Sequence, residues 1–271
     1  MKWRAVGLIY VSMNQMVVVF LIWIGFFLSQ TSADGAKQKL LFVGDSHTVG
    51  LFGEKLESLL REKYQVSRVA ASGASTYSYL DDGPKLVGTP LMVSVSKPCY
   101  STTWGFIWTN YDGTIKDKSI NSKELKQAPC FREIIIPNPD LLVVALGSNQ
   151  LGYPGAQARK HIEDFMKLVP KKLDCVWIAP PSMRKADPKL IESFYQKVLT
   201  AADLCKVFKS FDSKVTKYDP VAGDGIHYWD RDKADHWAEE ASRCILGGTS
   251  DICISPRKTN KKSTKNTKSK F

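Results

Sequence analysis

Several kinds of chemistry are short of material in this chain. None of its six cysteines stands in a C-x-x-C pair, so zinc-ribbon and thioredoxin-type chemistry have no ligands to work with. Histidine occurs only four times, at positions 47, 161, 227 and 236, which leaves few candidates for a general base. The apolar run from Met16 to Leu28 has 13 residues and falls short of the ~20 that a spanning helix needs. No cysteine lies near Ala33, which argues against a lipid-modified N-terminus. Acidic residues are missing altogether from residues 255–271, and no internal repeat is visible.

What is present divides into three stretches. Lys2 and Arg4 precede the apolar run, and "SQTSADG" follows it with Thr31 and Ala33 placed as signal peptidase prefers. Residues 1–33 therefore read as a secretory signal or, since no charge occurs from Ala5 to Leu28, as an uncleaved N-terminal anchor. Either way the body is exported, to a periplasm or the extracellular space. An even number of cysteines then points to disulfides, for which six residues allow 15 pairings. Pairing of sequence neighbours (99–130, 175–205, 244–253) is the expectation. At the other end, "SPRKTNKKSTKNTKSKF" carries seven Lys/Arg and one apolar residue, too little to bury a core, and is expected to be disordered. It holds +7 of the formal +11, leaving 11 − 7 = +4 for the remainder, so the basic character belongs mostly to the tail. Such a tail suits an anionic envelope polymer or membrane surface, or serves solubility alone. No specific nucleic acid partner is expected, and the chain is read as a monomer.

Between the ends lie residues 34–254, enough for one α/β domain. Five short apolar runs stand out: Leu40–Val43, Val66–Ala71, Leu141–Leu146, Cys175–Ala179 and Val207–Phe211. Helical periodicity follows the first, third, fourth and fifth, at Leu51–Lys63, residues 156–169, Lys189–Leu204 and residues 232–246. Near-continuous apolar strands alternating with helices indicate a parallel sheet covered on both faces. One interval, about residues 79–140, breaks the rhythm. It is loop-like, bracketed by Cys99 and Cys130, and rich in Tyr100, Trp104, Phe106, Trp108 and Tyr111. We read it as a disulfide-tied insertion whose aromatics either stack on a sugar or acyl group or, for most of them, form its own small core.

The chemistry-bearing residues sit where strands end. Leu40–Val43 runs straight into Gly44-Asp45-Ser46-His47. Ser46 there reads equally as a presented nucleophile or as part of an N-cap. Among the histidines, His47 adjoins Ser46, His161 lies in a charged helix and is most simply a surface residue, and His236 has Asp232 on the same helix face. His227 differs: it follows Asp224 by three residues in "DPVAGDGIHYWD", a D-x-x-H loop in which the carboxylate can meet Nδ1–H and leave Nε2 to accept a proton. Gly73, beyond the second strand, and Asn149, beyond the third, are candidate oxyanion donors beside the backbone N–H of Ser46; a turn glycine and a cap asparagine are their plain alternatives.

Taken in order, G-D-S-x, a Gly after strand two, G-x-N after strand three and D-x-x-H before the last helix resemble the SGNH/GDSL hydrolase superfamily, over residues 38–247. The resemblance implies a three-layer α/β/α, flavodoxin-like sandwich with a central five-stranded parallel sheet in the order 2-1-3-4-5. It implies Ser46 as nucleophile, His227 as base, Asp224 as its partner, and Ser46, Gly73 and Asn149 as the oxyanion hole, with no metal or organic cofactor. Two positions depart from the family pattern: His47 stands where many members have Leu, and Gln150 where Asp is common. Export, an aromatic yet polar insertion and a cationic tail together lead us to expect a serine esterase acting on O-acetylated carbohydrate, such as envelope polysaccharide or peptidoglycan. An O-acyltransferase of the same superfamily, a lipase or thioesterase, and an inactive polysaccharide-binding module are the rivals.

Overall fold

The computed structural model describes residues 36–80, 99–120, 125–217, 223–248 and 251–255. The expected leader, all but the first residue of the basic tail, and residues 81–98 and 121–124 of the insertion lie outside them. All described elements belong to the unit beginning at Gln38. In chain order they begin with β1 (Lys39–Gly44), α1 (Ser46–Val49), α2 (Leu51–Arg61), β2 (Gln65–Ala71) and a 3₁₀ turn (Thr76–Tyr79). The insertion supplies β3 (Tyr100–Thr102), β4 (Gly105–Thr109), β5 (Ile115–Ile120), β6 (Lys126–Ala128) and α3 (Phe131–Ile135). There follow β7 (Leu141–Ala145), a second 3₁₀ turn (Ser148–Gln150), α4 (Gly155–Leu168) and β8 (Asp174–Ile178). The chain closes with α5 (Pro188–Ala201), β9 (Lys206–Phe208), α6 (Arg231–Ile245) and β10 (Cys253–Ile254).

The five apolar runs form five parallel strands in the order β2-β1-β7-β8-β9, which is 2-1-3-4-5 when they are counted alone. The whole sheet is larger than the expected five strands. It has eight, in the order β10-β9-β8-β7-β1-β2-β4-β5, with β4, β5 and β10 antiparallel to their neighbours. The insertion is thus not a loop-like excursion: two of its strands extend the sheet beyond β2, and β3 pairs with β6 in a small second sheet.

Helices cover both faces. Leu41 and Val43 point into a core with Phe165 of α4, Phe194 of α5 and Phe131 of α3. Leu40 and Phe42 point the other way, against Phe52 and Leu56 of α2 and Trp237 of α6. Burial on both faces explains why β1 is apolar without alternation. Each such side chain contributes on the order of 1.5–3 kcal/mol of transfer free energy. All six cysteines pair as neighbours: Cys99–Cys130 ties the insertion, Cys175–Cys205 ties β8 to the start of β9, and Cys244–Cys253 ties α6 to β10. For the 30-residue separation of Cys175 and Cys205, loop-closure entropy suggests a stabilisation of about 3–4 kcal/mol. Among the described residues no helix is long and apolar enough to cross a membrane.

Candidate active site

The turn that presents Ser46 is built by close packing around Thr48. A Cβ on Gly44 would lie 1.9 Å from Thr48 Oγ1, and one on Gly53 would lie 1.9 Å from the Thr48 carbonyl oxygen. Only hydrogen fits at either place. The same carbonyl accepts a hydrogen bond from Arg68 Nη1 at 3.0 Å, and Arg68 Nε lies 2.8 Å from Glu57 Oε2 in a buried ion pair. Strand β2 and helix α2 therefore grip the short α1 from two sides. Asp45, not Ser46, is the N-cap: its Oδ1 accepts from His47 N at 3.0 Å, and its own N–H donates to the Ala145 carbonyl on β7. Ser46 is left as the first helical residue, half-buried, with its hydroxyl available.

That hydroxyl meets the D-x-x-H loop. His227 Nε2 lies 2.8 Å from Ser46 Oγ, although the residues are 181 apart in sequence. His227 Nδ1 lies 2.6 Å from Asp224 Oδ2, while Asp224 Oδ1 accepts the backbone N–H groups of Ile226 and His227 at 2.8 Å each. Gly223 and Gly225, at φ +70° and +84°, supply the left-handed backbone that lets the loop close on its own aspartate. With a carboxylate at Nδ1, the proton resides there and Nε2 is the acceptor facing the serine O–H. Burial alone would raise the Asp224 carboxyl. The His227 side chain, the two backbone N–H groups and the imidazole charge outweigh it and hold the group well below the usual carboxylate range. Asp224 is therefore charged at any pH at which the protein would work.

The candidate oxyanion residues lie at the same rim. Gly73, at φ +82°, follows β2. Asn149 is in the 3₁₀ turn after β7, and its Nδ2 donates to the Ala74 carbonyl at 2.9 Å. Gly147 carries this turn at φ +143°, where a Cβ would sit 2.3 Å from the Phe194 ring. Gln150 is buried and clamps the two loops: its Oε1 accepts from Thr76 N at 3.1 Å and its Nε2 donates to Thr76 Oγ1 at 2.8 Å. The Gln150 amide thus uses both a donor and an acceptor, which a carboxylate cannot. Ser46, Gly73 and Asn149 sit at the C-terminal ends of β1, β2 and β7, on either side of the point where strand order reverses, the usual ligand crevice of an open parallel sheet. The fold is the α/β sandwich with the parallel order 2-1-3-4-5 that the sequence resemblance implied.

Comparison with known proteins gives remote likenesses of fold. No protein-family model and no curated protein sequence matches the chain. Among solved structures, the C-terminal catalytic domain of peptidoglycan O-acetyltransferase A from Streptococcus pneumoniae is similar at 13% identity and TM-score 0.45, over 82% of this chain and 99% of that one. A peptidoglycan O-acetylesterase is similar at 11% identity and TM-score 0.44, over 83% of this chain and 95% of that one. A member of the lipolytic G-D-S-L family from Veillonella parvula is similar at 13% and 0.43, over 77% and 98%. What the site can do follows from its own geometry.

Two histidines differ from their sequence reading. His161 is buried rather than at the surface, because its ring stacks on Tyr77 at 4.4 Å with Tyr153 against its edge. His47 is buried behind the site, with ring centroids 5.3 Å from His227 and 5.4 Å from Trp237, and its Nε2 has no hydrogen-bond partner among the described residues. Burial, and then the charge of His227, lower its pKa to about 3, against a smaller opposing pull from Asp224. Burial pushes Asp45 the other way, up to about 6, in spite of hydrogen bonds from His47 and Ser148. The two groups oppose each other in acid. The unfolded chain binds more protons than the folded one at His47 between pH 6.5 and 3, so that contribution is lost as pH falls. At Asp45 the folded state binds more, so stability is gained as pH falls through 6. Replacing His47 by Leu removes the first effect alone. The stability difference between His47→Leu and the native chain, measured by urea unfolding, should move by on the order of 3 kcal/mol in favour of the variant between pH 7 and pH 4. A difference independent of pH would mean that His47 is not held neutral.

The sequence reading passed over Trp229. It is exposed at 62%, its ring 5.3 Å from that of His227. Its only signal was its place two residues after the D-x-x-H histidine, beyond the buried Tyr228.

Proposed function

We propose that the chain is an exported serine esterase that removes acyl groups, principally O-acetyl, from carbohydrate. The observation that carries this reading is the continuous contact Ser46 Oγ–His227 Nε2–Nδ1–Asp224 Oδ2, at 2.8 and 2.6 Å. In the first half-reaction His227 takes the Ser46 proton as Oγ attacks the ester carbonyl. It then gives that proton to the departing sugar oxygen, leaving an acyl-Ser46. In the second half-reaction His227 takes a proton from water, the hydroxyl attacks the acyl carbon, and the proton returns to Ser46 Oγ as the acid leaves. The oxyanion of each tetrahedral intermediate is received by the N–H groups of Ser46 and Gly73 and by Asn149. An amide nitrogen has two hydrogens; in Asn149 one is directed to the Ala74 carbonyl, which sets the amide plane, and the other is the donor in this mechanism.

The carbohydrate part of the reading draws on the leader, the three disulfides and the aromatic, polar insertion, and the cationic tail would hold the enzyme on an anionic envelope polymer or membrane surface. The test is release of acetate from O-acetylated peptidoglycan and O-acetylated xylan, with and without added oligosaccharide acceptor. Free acetate as the main product supports an esterase. Acetyl groups appearing on the acceptor in preference to water would make the enzyme an O-acyltransferase, and binding of both polymers without turnover would make it a binding module.

A further inference from the structure

Five tryptophans fall among the described residues, and their exposure sorts them sharply. Trp177 and Trp237 are buried in the two cores, and Trp108 is half-buried with the Lys116 ammonium over its ring. Trp104 and Trp229 are 53% and 62% exposed. Single exposed apolar side chains are ordinary. Two exposed indoles from distant parts of the chain, one beside the His227 ring and one next in sequence to Gly105, which packs on Ser72 and Val49, are not accounted for by the needs of the core.

Each is held by its neighbours. Tyr228 is buried and its hydroxyl donates to the Ser182 carbonyl at 2.7 Å, and Asp230 caps α6; Trp229, between them, is turned outward beside the His227 ring. Trp104 directly precedes β4, the strand that pairs with β2. Its backbone N–H donates to Thr102 Oγ1, which in turn donates to the Ser72 carbonyl; Tyr100 OH donates to the same carbonyl. Gly105, next in the chain, runs so close that a Cβ would lie 2.9 Å from Ser72 Oγ and 3.3 Å from Val49 Cγ1. Ser72 precedes the candidate oxyanion glycine, and Val49 ends the helix that Ser46 begins.

We propose that Trp104 and Trp229 are platforms for pyranose rings on either side of the acylated residue, so that the acyl group reaches Ser46 on a polysaccharide chain rather than on a small alcohol. This rests on the esterase reading and goes beyond it by naming the groups that select the carbohydrate. A pyranose presents a face of C–H groups carrying slight positive charge, which suits the negative face of an indole, while its hydroxyls stay in water. Flat apolar faces open to solvent match that amphiphilic ring. A fatty acyl chain would call for an enclosed apolar groove instead.

The experiment compares Trp104→Ala and Trp229→Ala with the native chain on two substrates, O-acetylated peptidoglycan fragments and 4-nitrophenyl acetate, and reads the ratio of the two kcat/KM values. The ratio should fall about tenfold in each variant, equivalent to about 1.4 kcal/mol of selective binding, mainly through KM for the polymer. A ratio unchanged in both variants, whether because both activities fall together or because neither falls, would overturn the proposal. Binding of the same fragments to Ser46→Ala protein, followed by tryptophan fluorescence, needs no turnover and so separates this proposal from the reaction itself. Fragment binding that weakens in the two tryptophan variants supports the platforms even if the ester chemistry proves wrong; no binding, or binding indifferent to them, sinks the platforms even if the esterase stands.

Discussion

Ser46→Ala should reduce ester hydrolysis by roughly 10⁴–10⁶-fold while leaving the protein folded. The size of the loss follows from the role. Without Oγ there is no acyl-enzyme, and what remains is activation of water by His227 next to intact oxyanion donors. The intact fold follows from the local structure. Asp45 supplies the helix cap, Thr48 supplies the packing between Gly44 and Gly53, and Ser46 Oγ contacts His227 at the surface of the rim. Loss of a half-exposed hydroxyl should cost about 1 kcal/mol or less in stability. The thermal midpoint, the rate of acetate release and labelling of Ser46 by a fluorophosphonate probe are the three measurements. An alanine variant within tenfold of native activity would remove Ser46 from the reaction and the acyl-enzyme with it.

What was legible in the sequence was local or strongly periodic. Leu40–Val43 and Leu141–Leu146 are apolar throughout because helices cover both faces of the sheet, and such runs cannot be mistaken for loops. The Asp224–His227 pairing was legible because its three hydrogen bonds span three residues. Strands β4 and β5 were not. "IKDKSI" alternates charge with little apolar content because β5 is the edge of the sheet, where Lys116 and Lys118 discourage pairing with another chain; out of context such a stretch reads as loop. Strand β10 is two residues long and is placed by the Cys244–Cys253 bridge and its pairing with β9 rather than by any propensity of its own. His161 was misread because its helix carries Arg159, Lys160, Glu163 and Asp164, while the ring that buries it, Tyr77, is on another loop. Trp229 was passed over for a related reason: exposure at a rim is a property of the fold, and a sequence shows only that the residue is aromatic.

The D-x-x-H loop yields the second large effect. Asp224→Asn should lower kcat by about 10⁴-fold with little change in stability. An asparagine can keep its carbonyl oxygen on the N–H groups of Ile226 and His227, so the loop retains the two backbone bonds that shape it. Its NH₂ group would then face His227 Nδ1 as a donor. The imidazole must answer by accepting at Nδ1, which moves its proton to Nε2, and the nitrogen 2.8 Å from Ser46 Oγ becomes a donor that cannot receive the serine proton. Asp224→Ala, by contrast, removes the backbone bonds as well and should lower the thermal midpoint in addition to kcat. The comparison therefore divides the two tasks of one carboxylate, shaping a loop with Oδ1 and fixing a tautomer with Oδ2. If the asparagine variant lost stability to the same degree as the alanine variant, the loss of activity would come from a collapsed loop. If it kept kcat, His227 would not be the base that this carboxylate orients.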